Sequence, residues 1–312
     1  MPKYLVTGGA GFIGSHIVEH LARTEQSVRV IDNFLTGKRQ NIEAFRARAE
    51  LIEGDLRNLD TVRAACRGVE IVLHQAALPS VPKSVADPLA SHTCNIDATL
   101  NLLIAAREAG VRRVVVAASS SAYGESPTLP KVETMRPDPL SPYAVQKLAT
   151  ELYARAFAAC YGLETVGLRY FNVFGPRQDP TSQYAAAIPA FVTSILRGTP
   201  PTVYGDGEQT RDFTYIDNVV QANLLAAGAV RVSGEAVNIA CGERVSVNQV
   251  IALINQLLGT SVRPNYVPAR RGDIKHSLAD ISAARDLIGY RPVVLFEEGL
   301  RRSIEWYRSN LA

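Results

Sequence analysis

Short runs of aliphatic and β-branched residues recur along the chain, at 3–7, 28–32, 51–53, 70–75, 113–119, 165–170 and 236–240. Several, such as Ile71-Val72-Leu73 and Val114-Val115-Val116-Ala117-Ala118, are apolar without alternation. A strand with one wet face alternates; an unbroken apolar run fits a strand covered on both faces, as in a parallel sheet. Between these runs lie stretches with helical spacing, at 12–23, 59–65, 90–109 and 142–160. Gly110 and Gly162 follow two of them, where a left-handed residue closes a helix. The repeated β–α unit predicts a doubly wound α/β sheet.

After Asn172 the texture changes. Pro176, Pro180, Pro189, Pro200, Pro201, Gly205 and Gly207 crowd the chain, while helical spacing persists at 188–197, 216–228, 248–258, 281–288 and 297–310. The expectation is a parallel Rossmann domain over 1–173, with 216–241 returning to it, and a smaller α+β substrate domain over 174–312.

Composition narrows the function classes. The 312 residues are 47% hydrophobic and 20% charged, which suits a folded core and excludes a mainly disordered chain. A net charge of +3 gives no basic footprint for nucleic acid. No apolar run reaches the roughly 18 residues of a membrane span. The first residues enter a strand pattern directly, so a protein without a signal peptide is expected. Cys66, Cys94, Cys160 and Cys241 are scattered without CxxC spacing, which fits neither a disulfide framework nor a zinc site and suits the cytoplasm.

The first strand runs into Thr7-Gly8-Gly9-Ala10-Gly11-Phe12-Ile13-Gly14, which opens a helix. Gly8 permits a tight turn, Gly11 lets backbone approach a pyrophosphate, and Gly14 lets helix and strand pack closely. The helix N-terminus then receives the phosphate charge. Asp32 ends the next strand, where a carboxylate accepts hydrogen bonds from ribose hydroxyls and repels a 2′-phosphate. The pair points to NAD rather than NADP, with Lys38 and Arg39 the residues that speak for NADP. The same helix carries His16-Ile17-Val18-Glu19-His20, a match to the H-x-x-E-H metal pattern. No later histidine cluster supplies a further ligand, so no metal is expected.

Tyr143 and Lys147 are spaced i, i+4 on one helix face. Free tyrosine titrates near ~10 and is a poor base at neutral pH. An adjacent ammonium and a cationic nicotinamide ring favour the phenolate. Lys147 is also placed to hold the nicotinamide ribose. Ser119-Ser120-Ser121 closes the 113–119 strand, at the sheet edge where ligands bind in such folds.

Taken together, these residues resemble the extended short-chain dehydrogenase/reductase family, and within it the NAD-dependent UDP-hexose 4-epimerases. The resemblance runs along nearly the whole chain. It includes the glycine loop, Asp32-Asn33, Gly54-Asp55-Leu56, His74-Gln75-Ala76-Ala77, Ser119 to Gly124, Tyr143 to Lys147, Arg169 to Gly175, Arg211-Asp212-Phe213 and the stretch 270–280. The stretch 169–180 with Tyr184-Ala185-Ala186 is similar to the subgroup acting on N-acetylated UDP-hexosamines.

The resemblance implies roles. Tyr143 is the base, Lys147 its electrostatic partner and Ser121 the hydroxyl in the proton path. The NAD site comprises Gly8, Gly11, Phe12, Ile13, Gly14, Asp32, Asn33, Gln75, Ser119, Tyr143, Lys147 and Tyr170. Asp55 and Leu56 lie at adenine, Ala76 and Ala77 line the cofactor, and Asn95 lies on the pyrophosphate or adenosine side. For the UDP-sugar, Ser120, Ser121 and Tyr143 face the sugar, and Asn172, Arg211 and Arg270 meet the diphosphate. Val203 and Tyr204 frame uracil, and Asp273 holds a uridine ribose hydroxyl. Ser277 falls where many UDP-glucose epimerases have a bulky tyrosine beside the sugar C2 substituent. With the small Ala186 it leaves room for an N-acetyl group. Pro79 departs from the Gly or Lys usual there.

The implied activity is C4 epimerisation of a UDP-hexose through a transient 4-keto sugar, on UDP-GlcNAc/UDP-GalNAc and also UDP-Glc/UDP-Gal. A homodimer paired through the helices at 90–109 and 143–160 is implied as well. A 4,6-dehydratase needs an acidic pair where Ser120-Ser121-Ala122 stands. A UDP-glucuronate epimerase or decarboxylase needs carboxylate-binding groups that the sequence does not single out. A non-enzymatic NAD-sensing regulator would have no use for the Tyr143/Lys147 pair.

Overall fold

The computed structural model describes residues 3–180, 187–269 and 275–310. Seven strands form one sheet: β1 (Tyr4–Thr7), β2 (Val28–Asp32), β3 (Ala49–Glu53), β4 (Ile71–His74), β5 (Arg113–Ser119), β6 (Glu164–Tyr170) and β7 (Glu235–Ile239). Their order is β7-β6-β5-β4-β1-β2-β3, and every pairing is parallel. The chain winds outward from β1 to β3, then returns to β4 on the other side of β1. The crevice between β1 and β4 is therefore the switch point at which doubly wound folds bind ligands.

The unbroken apolar runs are explained by the sheet's two covered faces. Leu5, Val72 and Val114 point into one core with the helices Leu59–Cys66, Ala98–Glu108 and Pro142–Tyr161. Their neighbours Val6, Leu73 and Val115 point into the other, with Phe12–Arg23 and Ile216–Gly228. That second core continues through Phe174, Phe213 and Phe296 into the C-terminal half. There, short strand pairs (Thr202–Tyr204 with Asn265–Val267, Thr210–Arg211 with Val245–Ser246) sit beside the helices Ala187–Leu196, Val247–Leu258 and Phe296–Asn310. Ser246 opens one of these helices with a capping box to Gln249, and Gly259 closes it in the left-handed region.

One expected element is broken. The stretch 90–109 is not a uniform helix: Pro88–His92 leads into a π-helical turn, Thr93–Asp97, before Ala98–Glu108. Asp87 caps the first piece by accepting from the Ala90 N–H, with Pro88 in the first turn. The wider turn aims the Asn95 side chain at the Leu78 backbone and Gln146, which spacing alone does not reveal.

Candidate active site

A cavity of about 1130 Å³ opens along the C-terminal edge of the sheet, from the glycine loop to the segment around Ser277. At one end the lining is backbone. Gly8 has φ +65°, and a Cβ there would stand 2.7 Å from Ala76 Cα. A Cβ on Gly14 would overlap the Gly8 carbonyl oxygen. These two positions admit only glycine, which brings the loop against both β4 and its own helix. The helix N-cap is Gly11, which has no side chain to satisfy the first N–H groups, and no acidic residue sits in the first turn. An unsatisfied helix N-terminus at a cavity wall receives an anion.

Asp32 stands beside this loop, 7% exposed. Its carboxylate accepts from Ala10 N–H and Phe34 N–H, both at 2.8 Å. Burial raises its pKa, and those two hydrogen bonds oppose the rise. Lys38 and Arg39 are engaged elsewhere: Lys38 pairs with Asp179 at 3.1 Å, and Arg39 with Glu53 at 2.6 Å. Neither therefore offsets the Asp32 charge against a 2′-phosphate. Asn33 donates to Asp55, which also accepts from Arg57 through backbone and side chain. The Arg57 hydrogen bonds hold the Asp55 carboxyl well below its ordinary range. Leu56 lies buried alongside. This end fits an adenosine diphosphate moiety with free ribose hydroxyls.

In the middle of the cavity Gln75, Tyr170 and Asn223 close a triangle. Gln75 Nε2 donates to Asn223 at 2.9 Å, Tyr170 Oη donates to Gln75 at 3.1 Å, and Asn223 Nδ2 donates to Tyr170 at 2.8 Å. Burial pushes the Tyr170 phenol up to about 12. Ala76 and Ala77 line the same stretch of wall. Behind it lies a relay with no role in the sequence reading. Thr99 donates to the Asn95 carbonyl, so its lone pair takes the His74 Nε2–H at 3.0 Å. His74 Nδ1 then accepts from Thr7 at 2.7 Å, and Thr7 Oγ accepts from the Ala76 N–H. Burial, aided by the charge of Lys147, lowers the His74 pKa to about 3. A neutral imidazole thus ties β1 and β4 to the helix that follows the π-turn. Only the His74-Gln75-Ala76-Ala77 motif hinted at it.

At the ends of β5 and the Pro142–Tyr161 helix the reactive groups meet. Ser141 caps that helix, Pro142 occupies its first turn, and Ser84 accepts from the Tyr143 N–H at 3.1 Å. Ser84 is a second positioning residue that the sequence did not single out. Lys147 is buried, and its Nζ donates to the Ala117 carbonyl at 2.8 Å. Burial brings the Lys147 ammonium down to about 8. Ser119 accepts from the Ser121 N–H, capping the turn Ser120–Tyr123, and the Ser121 hydroxyl donates to Ser119 Oγ at 2.9 Å.

Two details bear on the expected base and its proton path. Ser119 is the serine whose hydrogen bond acts on the Tyr143 phenol, and the Ser121 hydroxyl, expected in the proton path, donates to Ser119. The polypeptide alone does not favour the phenolate. Burial raises the Tyr143 pKa, and the Ser119 hydrogen bond opposes the rise.

The remaining expected residues divide. Phe12, Ile13, Ser120, Asn172, Arg211 and Ser277 line the cavity with those above. Asn172 has φ +33° and donates to the Asp212 carbonyl at 3.0 Å. Arg211 donates to the Thr210 and Lys275 carbonyls. Ser277 is fixed by its N–H to Thr210 O at 3.1 Å. Asn95 does not line the cavity: its amide is spent on Leu78 and Gln146, so it positions the loop after β4. Val203 is 1% exposed within the core, and neither it nor Tyr204 lines the cavity, because their strand turns its side chains into and away from the core. Ala186, Arg270 and Asp273 lie outside the described residues.

The H-x-x-E-H pattern is accounted for by packing. His16 Nε2 bonds the Pro176 carbonyl at 3.0 Å, and burial lowers its pKa to about 4. Glu19 pairs with Arg23 and Arg177. Among the described residues no cluster of metal-binding side chains occurs. No helix among them is long and apolar enough to cross a membrane.

Comparison with known proteins agrees with this geometry. A model of the NAD dependent epimerase/dehydratase family matches residues 4–240. A putative UDP-glucose 4-epimerase of Methanocaldococcus jannaschii is 38% identical over 308 residues, 98% of each chain. The chain superposes on a UDP-N-acetylglucosamine 4-epimerase from Methanobrevibacter ruminantium, solved with UDP-N-acetylmuramic acid, with a TM-score of 0.95 and 44% identity over 99% and 98% of the two chains. A Thermus thermophilus UDP-glucose 4-epimerase complexed with NAD gives 0.89 and 36% over 98% and 99%.

Proposed function

Because the chain belongs to the NAD dependent epimerase/dehydratase family, as an enzyme that inverts C4 of a UDP-sugar with NAD, we propose that it interconverts UDP-GlcNAc with UDP-GalNAc, and also UDP-Glc with UDP-Gal. The observation that carries the choice of sugar is Ser277. This small side chain lines the same cavity as Tyr143 and Ser119, and a serine there would leave room for an N-acetyl group. A larger pocket still accepts the smaller sugar, since unfilled space forfeits only about 1–3 kcal/mol.

The residues assign themselves by chemistry. The glycine loop and the Gly11-capped helix would hold the NAD pyrophosphate, Asp32 the adenosine ribose, Asp55 and Leu56 the adenine side, and Lys147 the nicotinamide ribose. NAD bound there supplies the acceptor and donor for the C4 hydrogen. Tyr143 removes the proton from the sugar's C4 hydroxyl and later returns it. Ser119 stabilises the phenolate by donating to it, and Ser121 backs Ser119. Lys147 places a second positive group in the same buried space. Asn172 and Arg211 hold the diphosphate, which keeps the nucleotide anchored while the sugar presents first one face and then the other.

Residues 1–173 with 216–241 would carry the cofactor, and 174–312 the UDP-sugar. The half-exposed Val145, Leu152 and Tyr153 along the Pro142–Tyr161 helix support a homodimer through that face. Light scattering at micromolar concentration would return twice the chain mass; a monomer mass would remove that part of the reading. Substrate choice is tested by incubating purified protein with the four UDP-sugars and resolving products by NMR. Interconversion of the N-acetyl pair is expected, and its absence would refute the size argument.

A further inference from the structure

One cation in the cavity is left out of this scheme. Lys131 is 3% exposed, yet it lines the cavity wall. Its backbone is fixed beside Ser277, with its N–H donating to the Leu278 carbonyl at 2.7 Å and its carbonyl accepting from the Asp280 N–H at 2.9 Å. Asn238 Nδ2 donates to the same carbonyl at 3.0 Å. The ammonium carries three donors, and among the described residues it donates to the Ser126 carbonyl. Among the described residues Lys131 makes no ion pair.

Several neighbouring cations are paired, and Lys147, buried with a backbone acceptor, is already given to the nicotinamide ribose. Lys38 is matched by Asp179, Arg177 by Glu19 and Arg169 by Glu151. A buried ammonium without a counter-charge is costly, and evolution of a stable fold alone would replace it with an apolar or amide side chain. Burial lowers its pKa, as expected for a cation that lacks an anion.

We propose that Lys131 is the binding group for a carboxylate carried on the sugar, so that the enzyme also accepts UDP-hexoses with an acidic substituent. The inference rests on the UDP-sugar reading above. The anion is assigned to the sugar because Lys131 lines the cavity with Ser277, its backbone bonded to the neighbouring Leu278, while the diphosphate already has its proposed partners in Asn172 and Arg211. The carboxylate can sit at C6, as in a hexuronate, or at the end of a lactyl ether at C3.

The test is a set of equilibrium affinities for UDP-glucuronate against UDP-glucose and for UDP-N-acetylmuramate against UDP-GlcNAc, with UDP itself as the reference. The wild-type protein should bind at least one acid about 10-fold or more tightly than its neutral counterpart, and which acid does so locates the carboxylate. In Lys131→Met that ratio should fall by about 30-fold or more, the scale for losing one partner of a desolvated charge pair. Lys131→Arg should restore part of it. Equal affinity of wild-type protein for acids and neutrals overturns the proposal, and that comparison needs no variant. A Lys131→Met protein that weakens acids, neutrals and UDP alike also overturns it, because Lys131 would then be a loop support or a diphosphate ligand. Binding and turnover of neutral UDP-sugars without preference for either acid would leave the epimerase reading standing and remove only the role of Lys131.

Discussion

The two ends of the cavity are built on different principles. The glycine-loop end is made of backbone: Gly8 and Gly14 sit where a Cβ has no room, the Phe12–Arg23 helix presents its uncapped N-terminus, and main-chain N–H groups pin Asp32. The opposite end is made of side chains from segments far apart in sequence, with Ser119, Tyr143, Arg211 and Ser277 converging from four elements. The first end recognises groups common to every dinucleotide and has little freedom to change. On the proposed function the second sets which sugar is accepted, and there a single side chain would alter the outcome without touching the fold.

That contrast can be broken most forcefully at the side-chain end. Tyr143→Phe should cut turnover about 10²–10⁴-fold, the usual loss with a general acid–base, while bound NAD and melting temperature hold. Burial raises the Tyr143 pKa, so the base form grows as pH rises. Wild-type kcat/KM should therefore climb with pH through the neutral range, whereas the residual rate of Tyr143→Phe should not. Near-wild-type turnover in the folded variant would remove Tyr143 from the mechanism.

At the backbone end the expected loss falls on cofactor rather than on chemistry. Gly14→Ala forces the loop from its helix at a cost of about 1–3 kcal/mol, which should lower NAD occupancy roughly 10–100-fold. Chromatography of the dinucleotide released on denaturation measures it. Full occupancy in the variant would show that the close packing is dispensable. The same assay on wild-type protein should return NAD, and recovery of NADP would contradict the reading of Asp32.

Ser277→Tyr probes the sugar pocket. Filling it should reduce kcat/KM for the N-acetyl sugars about 10–200-fold while sparing UDP-Glc and UDP-Gal. Equal losses on both pairs would mean that Ser277 is a loop residue and not a gate. The smallest effect separates two neighbours. Ser119→Ala should slow turnover by about 10-fold or more, and Ser121→Ala by no more than a few-fold, since its hydroxyl meets Tyr143 only through Ser119. The reverse ranking would restore Ser121 to the proton path.

The same division explains what was legible in the sequence. The sheet, the glycine loop and Asp32 were readable because each is encoded locally: unbroken apolar runs demand two covered faces, and glycines at fixed offsets demand a tight turn. Tyr143 and Lys147 were readable because helical spacing puts i and i+4 together. What escaped depended on how a turn winds or on distant partners. Ser121 is joined to Ser119 by the way one 3₁₀ turn winds. Asn95 is redirected by a π-turn that looks like ordinary helix in the sequence. Val203, expected at uracil, has its side chain buried in the core. His74, Ser84 and Lys131 take their significance from contacts made across the fold, to Thr99, to the Tyr143 backbone and to the segment around Ser277, and spacing says nothing about these.

In the proposed reaction the C4 hydrogen leaves the sugar and returns to it inside the closed site, while only the hydroxyl proton passes through Tyr143. This is tested by incubating the purified protein, with no added cofactor, with UDP-GalNAc and UDP-Gal in D₂O and following C4 by proton NMR. The expected result is conversion to the C4 epimer with the C4 position still carrying protium. Deuterium at C4 of the product, or a requirement for added dinucleotide before any inversion occurs, would contradict the account.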